Sequence, residues 1–302
     1  MSQENRPPGS FEALHPVPGF AFFGLVVLLT VLYMHPVMLG VSFCCAAAWA
    51  LYLRRGRALR FILTLLLPVM LLAAVLNPAF NHRGVTILFY LFTGNPVTAE
   101  SLYYGVAGAL MIGAVLLWFY CYNLVMPSDK LLWLLGRAVP TLALVLSMAL
   151  RLVPHYTAQA KRVAAARAGL GLGRTAASVV ARAREGLSIL SVVTTWALES
   201  AVGTADSMAS RGFGTGRRTA YSTYHMTRRS WLALAFLVLA GAACVVFFAT
   251  GAVSVAYFPR FELGGAPLAQ AALCVIWCAL CAFPLVLDLA EEVSWRSSRL
   301  RI

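Results

Sequence analysis

Charged residues are scarce in this chain of 302 residues, since only 12% are Asp, Glu, Lys or Arg. A soluble domain carries about 25% charged residues, and 61% of this sequence is hydrophobic. The composition therefore excludes an ordinary soluble protein and indicates an integral membrane protein. Acidic residues are fewer than basic ones, 11 against 24, which gives a net charge of +13. No separate basic domain carries this excess, so we expect no nucleic-acid partner.

Lysine is almost absent, and its absence excludes a nucleotide-binding loop. Lys130 and Lys161 are the only lysines, and neither follows glycine in a G-x-x-x-x-G-K-[ST] pattern. Any ATP that the protein uses must therefore be bound by a partner. All seven cysteines fall inside apolar runs, which favours packing over disulfides or metal ligation. We expect no metal, no cofactor and no catalytic residues.

Apolar runs are abundant, and about six approach the roughly 20 residues that cross a hydrocarbon core. They occupy residues 18–33, 37–53, 59–76, 102–126, 231–250 and 268–289. The run 84–93 is too short to span, so we expect a partly inserted or capping segment there. Asp288, near the end of the last run, is expected to reach the interface. The sequence predicts an all-α polytopic membrane protein with about six transmembrane helices and a cytoplasmic coupling-helix domain.

The basic residues predict the orientation of these helices. Of the 24 basic residues, 22 lie before the first run, at positions 54–60, in segment 127–230 or after the last run. Cytoplasmic loops collect Lys and Arg, so both termini and segment 127–230 are expected in the cytoplasm. The predicted division is a tail 1–17, transmembrane helices 18–126, a coupling domain 127–230, transmembrane helices 231–290 and a tail 291–302. We expect no spanning helix within 127–230.

Two matching helix ends lie in the segment 127–230. One reads Ala-Arg-Ala at 166–168 and the other Ser-Arg-Gly at 210–212, and alternating glycines follow both. Glycine commonly ends a helix, and the last carbonyls favour a cation, which alone explains one such arginine. A repeated arginine between small residues favours docking, because a guanidinium pairs bidentately with a carboxylate and small neighbours permit close approach. The candidate docking residues are Ala166, Arg167, Ala168, Ser210, Arg211 and Gly212.

The helices that lead to these arginines carry two further patterns. Small residues recur every fourth position at Ala197, Ala201, Ala205 and Ala209, which indicates close crossing with another helix. We expect the two arginine-ended helices to cross each other, with both tips accessible and close together. Tips that lie far apart, turn into the bilayer or are buried in their own subunit would contradict a docking role. An apolar stripe is expected to face the membrane surface or another subunit. Its members are Leu187, Leu190, Val193 and Trp196.

These residues resemble a known family. Residues 206–214 look like the second Ala-Arg-Gly signature of the transmembrane T component of energy-coupling-factor (ECF) transporters. Residues 147–154, with the helix up to 166–168, are similar to the run into the first signature. The resemblance covers roughly residues 20–290. Two positions depart from it, since Ala168 replaces the usual glycine and Ser210 the usual alanine, but both remain small.

The resemblance implies a non-catalytic transporter subunit in the plasma membrane of a prokaryote, working in vitamin or metal-ion uptake. Arg167 and Arg211 would insert into two cytoplasmic ATPase subunits. The other face of the coupling helices would hold a membrane-embedded substrate-binding protein, the S component. ATP-driven closure of the ATPases would then reorient the S component in the bilayer.

Two alternatives remain, a membrane-embedded hydrolase and a self-contained secondary carrier. Glu291, Glu292 and Arg296 fit the E-E-x-x-x-R pattern of a membrane protease, but no histidine or asparagine follows to complete its site. A carrier would need ionisable residues in mid-span and two related halves, and the sequence offers almost no such residues and no such repeat. The partners that co-purify with the chain distinguish these alternatives from the transporter subunit.

Overall fold

The computed structural model describes residues 10–81, 83–90, 96–171, 178–215, 224–251, 253–259 and 261–299. The chain divides into two compact units. We call Met1–Ser128 with Tyr224–Ile302 the bundle unit and Asp129–Thr223 the arm unit. The arm unit coincides closely with the predicted coupling segment 127–230.

Helices dominate both units. In the bundle unit the helices are α1 (Ser10–Ala13), α2 (Pro16–Leu32), α3 (Pro36–Phe61), a π-helical turn (Ile62–Leu66), α4 (Leu67–Phe80), α5 (Ala99–Val125), α9 (Arg228–Ala249) and α10 (Pro267–Arg299). The helices α6 (Ser128–Ala138), α7 (Pro140–Gly169) and α8 (Val179–Ser210) follow one another between α5 and α9. Two antiparallel hairpins, β1 (Ile87–Tyr90) with β2 (Pro96–Thr98) and β3 (Val253–Ala256) with β4 (Glu262–Gly265), complete the described elements.

Among the described residues, six helices are long and apolar enough to cross a membrane, which confirms a helical polytopic membrane protein. They are Pro36–Phe80, Ala99–Val125, Pro140–Gly169, Val179–Ser210, Arg228–Ala249 and Pro267–Trp295. The membership differs from the sequence prediction in two ways. First, α7 and α8 are long and apolar enough to span, so the expectation that segment 127–230 holds no spanning helix is wrong. These two helices are nevertheless the least apolar of the six. Second, α2 is a shorter apolar helix of 17 residues, and two predicted spans merge into one 45-residue helical region.

The 45-residue region nevertheless makes two passes along α5. In its first part, the indole Nε1 of Trp118 donates to Ser42 Oγ at 2.9 Å, and Cys121 approaches the carbonyl of Ala46, so both helices run the same way. In its last part, which is α4, Met70 faces Gly113 of α5 and Ala74 faces Gly105 of α5. This part therefore runs opposite to α5. The chain therefore reverses between these parts. The non-helical backbone of Arg54 (φ −147°, ψ 72°) lies there, within the basic run 54–60.

Contacts among the other helices complete an alternating six-pass bundle. Helix α2 runs against α3, with Thr30 Oγ1 3.1 Å from Ser42 Oγ and Phe23 stacked on Trp49. Helix α10 runs parallel to the first part of α3, because Trp277 Nε1 donates to the carbonyl of Met38 and Trp49 Nε1 donates to Asp288.

Parallel contacts likewise place the start of α9 beside the start of α2, where the backbone N–H of His15 donates to Ser230. The basic run 54–60, the end of α5, the start of α9 and the end of α10 thus share one end of the bundle, which we call the basic face. The chain leaves for the arm unit, and returns from it, on this face.

An aromatic cluster forms the core beneath the basic face. Phe11, Phe22, Phe23, Trp49 and Trp118 are all buried, with neighbouring ring centroids 5.3–6.4 Å apart. The carboxylate of Asp288 is also buried here, and it accepts from the N–H of Phe11 and from Trp49 Nε1 at 3.0 Å each. Asp288 therefore lies inside the bundle, where two donors compensate the burial of its carboxylate.

The segment predicted as a partly inserted or capping run, 84–93, instead contributes strand β1 to a hairpin, and its last residues lie outside the described part. The strand begins after Gly84, which has φ +141° and contacts Thr98 and Glu100. The carboxylate of Glu100 accepts from the backbone N–H and the hydroxyl of Thr86. Both hairpins lie at the end of the bundle opposite to the basic face.

Candidate functional site

Helix α7 carries the first arginine in its last turn. The helix begins with Pro140 at its first position, where a missing N–H is harmless, and runs to Gly169. Its C-terminal half is rich in Ala, Arg and Gln, which are good helix formers. Gly171 ends it in the left-handed conformation (φ +76°), and its N–H donates to the carbonyl of Ala168 at 3.1 Å. Arg167 thus points from the final turn, as predicted.

Helix α8 ends in a Schellman motif, and the second arginine, Arg211, is its C-cap residue. Ser178 caps its start by accepting from the N–H of Ala181 at 3.2 Å. At its end, Phe213 N–H donates to the carbonyl of Met208 and Gly212 N–H to that of Ala209, each at 3.0 Å. Gly212 has φ +74°, a conformation that glycine adopts without strain.

The two arginines occupy different positions relative to their helix ends. Arg211 is the residue immediately after α8, whereas α7 continues for two residues beyond Arg167 and is capped at Leu170. A left-handed glycine ends each helix. Gly212 follows Arg211 directly, whereas Gly171 lies four positions after Arg167. The sequence repeat is therefore not a structural repeat.

The two long helices cross each other in antiparallel directions, as expected. The hydroxyl of Tyr156 lies 2.9 Å from Ser200 Oγ and 3.5 Å from the carbonyl of Ala197. Further along, Arg167 Nη1 donates to Ser188 Oγ at 2.9 Å. Of the four-alanine stripe, only Ala197 is half-buried at this crossing, and the other three alanines are exposed.

The antiparallel crossing separates the two arginine tips. Ser188 marks the level of Arg167 on α8, and Arg211 lies 23 residues further along the chain. At 1.5 Å per residue, this places the tips about 34 Å apart along the helix axis. The expectation that the tips lie close together is therefore wrong, and they lie at opposite ends of the crossed pair.

The two tips also differ in accessibility. The Arg211 side chain is exposed. Arg167 is half-buried, and besides its bond to Ser188 it keeps a buried Nε that has no hydrogen-bond partner among the described residues. The neighbouring small residues Ala166, Ala168, Ser210 and Gly212 are all exposed. Both helix ends thus offer an open surface, but only Arg211 projects freely from it.

The predicted apolar stripe of α8 is exposed except at one position. Leu187, Leu190 and Trp196 are exposed, whereas Val193 is only 8% exposed, which contradicts its assignment to the outward face. Val193 is the most buried residue of α8, so the stripe flanks the packed side of this helix. Outward-facing leucine and tryptophan side chains on a long helix indicate a surface covered by lipid or by another protein.

The two glutamates of the hydrolase alternative differ in their surroundings. Glu292 accepts from the hydroxyl of Tyr52 at 2.8 Å, and one oxygen of Glu291 is buried without a hydrogen-bond partner in the described structure. Within the described residues, no group of three or more His, Cys, Asp or Glu side chains is arranged to hold a metal ion. The chain matches no protein-family model, and no curated protein matches it at a significant level.

Proposed function

We propose that this chain is the transmembrane coupling subunit of an ECF-type importer, which transmits the motion of two ATPase subunits to a substrate-binding S component. The observation that carries the proposal is a pair of long, crossed helices with an arginine at each far end. Along the chain this pair follows the end of α5 and precedes the start of α9, and those two ends lie on one face of the bundle unit. A helix pair of this kind is suited to transmitting movement between a soluble motor and a membrane partner.

The tips lie about 34 Å apart along α8, farther than the sequence interpretation expects. The proposal therefore assigns one arginine to each ATPase subunit. Arg211 would insert its exposed guanidinium between acceptor groups of one ATPase. Arg167 has five N–H donors, of which Ser188 takes one, so it retains donors for the second ATPase.

The crossing point holds the two helices of the pair together. Tyr156 joins α7 to both the carbonyl of Ala197 and the hydroxyl of Ser200, whereas the arms beyond are largely exposed. A displacement of the Arg211 tip would therefore pull on this contact, and on the bond from Arg167 to Ser188 that holds the other end of α7 to α8. The exposed Leu187, Leu190 and Trp196 supply an apolar surface through which the S component would follow that displacement.

The topology in the proposal places the basic face in the cytoplasm of a prokaryotic cell. Twenty-two of the 24 basic residues belong to segments on that side in the predicted topology. The arm unit would then meet cytoplasmic ATPases, and both termini would be cytoplasmic.

The test is purification of the tagged full-length chain from its native host in a mild detergent, followed by mass spectrometry and an ATPase assay. The proposal predicts two ATPase subunits and a small membrane protein in the complex, with ATP hydrolysis supplied by the soluble subunits. A polypeptide that purifies alone and transports or hydrolyses a substrate by itself would contradict it and support a carrier or a hydrolase.

A further inference from the structure

A groove opens at the basic face of the bundle unit, between α1, the start of α9 and the end of α10. Its volume is about 790 Å³. Its lining changes character along its length. Arg229, Glu291 and Trp295 lie toward the helix ends, and Phe236, Phe283 and Leu287 lie toward the bundle centre.

The apolar end of the groove lies at the depth of acyl chains. Phe236 and Phe283 are stacked with their centroids 5.0 Å apart, and they lie seven and eight residues inward from Arg229 and Glu291. This distance is about 10–12 Å along a helix. Both helices are long and apolar enough to span a bilayer, so the groove runs from the aqueous boundary into the hydrocarbon region. Trp295, an aromatic residue at the polar end, is typical of that boundary.

The polar end carries one charge of each sign on opposite walls. Arg229 lies in the first turn of α9, where the helix dipole adds a partial positive charge, and Thr227 Oγ1 caps this end by accepting from the N–H of Ser230. Glu291 lies on α10, and no described side chain pairs with it, while one of its oxygens is excluded from solvent. An unpaired carboxylate that is partly desolvated is costly, and a cation in the groove would offset that cost.

We propose that this groove binds a glycerophospholipid whose headgroup carries a primary ammonium, as in phosphatidylethanolamine. The phosphate pairs with Arg229 at the start of α9, the ammonium donates to Glu291, and the acyl chains lie along Phe236, Phe283 and Leu287. A headgroup that carries only negative charge has no cation to place beside the Glu291 carboxylate. A choline headgroup has the right charge but no N–H to donate. This site is independent of the proposed ATPase docking, because it lies entirely within the bundle unit.

The test measures lipid binding by native mass spectrometry of the delipidated full-length protein in detergent. The probes are dioctanoyl phosphatidylethanolamine, phosphatidylcholine and phosphatidylglycerol, with free phosphoethanolamine as a soluble headgroup. We expect phosphatidylethanolamine to bind about tenfold more tightly than phosphatidylcholine, as for one charge-assisted hydrogen bond. Glu291→Gln should remove this discrimination and leave phosphatidylcholine binding unchanged, whereas Arg229→Gln should weaken the binding of both.

Two matched variants serve as controls. Arg228→Gln neutralises the neighbouring arginine, which does not line the groove, and Glu262→Gln neutralises an exposed carboxylate at the opposite end of the bundle. Both should bind lipid as the wild type does. Equal affinity for phosphatidylethanolamine and phosphatidylcholine in the wild type would overturn the proposal without any variant. Tighter binding of phosphatidylglycerol, or free phosphoethanolamine binding as tightly as the lipid, would also overturn it.

Discussion

Substitution of Gly105 by alanine tests the close approach of α4 and α5, and with it the reversal of the chain between α3 and α4. A Cβ at this position would lie 2.9 Å from the carbonyl oxygen of Ala74 and 3.2 Å from both Asn77 Cβ and Pro78 Cδ. Pro78 has no N–H, so the Ala74 carbonyl lacks its usual helical donor and is free to lie against the glycine. A backbone oxygen cannot rotate out of the way, so the helices must separate.

The expected magnitude combines two opposing effects. Overpacking of a close helix contact costs about 1–3 kcal/mol. Replacing glycine by alanine within a helix returns about 0.5–1 kcal/mol. The net expectation for Gly105→Ala is a loss of about 1–2 kcal/mol of unfolding free energy. The assay is unfolding of the purified protein by increasing sodium dodecyl sulfate in mixed micelles, followed by far-ultraviolet circular dichroism.

Gly108→Ala is the matched control on the same helix. Nothing lies within 4 Å of a Cβ at Gly108, so only the helix-propensity gain applies. This variant should unfold at an equal or higher detergent fraction than the wild type. The reasoning is refuted if the two variants behave alike, or if Gly105→Ala is the more stable of the two.

Three smaller predictions concern the arm unit and the turn between α2 and α3. Gly212→Ala should fray the end of α8 at a cost of about 1–2 kcal/mol, because the φ of +74° at this position disfavours a side chain. Gly203→Ala should not fray the helix, because open space surrounds that position. Amide hydrogen exchange of residues 208–213 compares the two variants. Ser188→Ala should speed exchange in the last turns of α7 by removing the acceptor of Arg167, and unchanged exchange would argue against that bond. Burial lowers the pKa of His35 below its usual 6.5, so an unfolded chain binds the proton first and the thermal unfolding temperature should fall as the pH drops below about 6.5. His35→Phe should flatten that dependence, and an equal slope in both proteins would contradict it.

The sequence predicts the bundle well because a bilayer imposes length and polarity. The apolar runs locate the passes of the bundle unit but miss α7 and α8, which are also long and apolar enough to span. The basic run 54–60 locates a reversal that the continuous helical region Pro36–Phe80 conceals. The glycines after Arg167 and Arg211 likewise locate the ends of both arm helices, because only a left-handed residue ends a helix in this way. These features depend on local composition, which a single sequence displays.

Features that depend on contacts between distant residues could not be predicted. Asp288 is held inside the bundle by Phe11 and Trp49, which lie more than 230 positions away. Ser188 is the partner of Arg167, yet nothing distinguishes it from the other serines of α8. The burial of Val193 depends on which side of α8 is packed, and the apolar stripe alone does not define that side.

The separation of the arginine tips was missed for the same reason. The repeat of two arginine signatures suggests equivalence, but the antiparallel crossing at Tyr156 places the signatures at opposite ends. The left-handed glycines also lie at different distances from Arg167 and Arg211, so even the local geometry differs. Equivalent short motifs therefore need not form one contiguous surface.

The most direct measurement of the central claim is the amount of ATPase that co-purifies with an Arg167→Glu/Arg211→Glu double variant. The two ATPase subunits should be lost from this variant, while circular dichroism and gel filtration show a folded membrane protein. An Arg151→Glu/Lys161→Glu variant reverses the same charge at exposed positions of α7 and should retain both subunits. Wild-type amounts of ATPase on the Arg167→Glu/Arg211→Glu variant would contradict the docking role of the arginine tips.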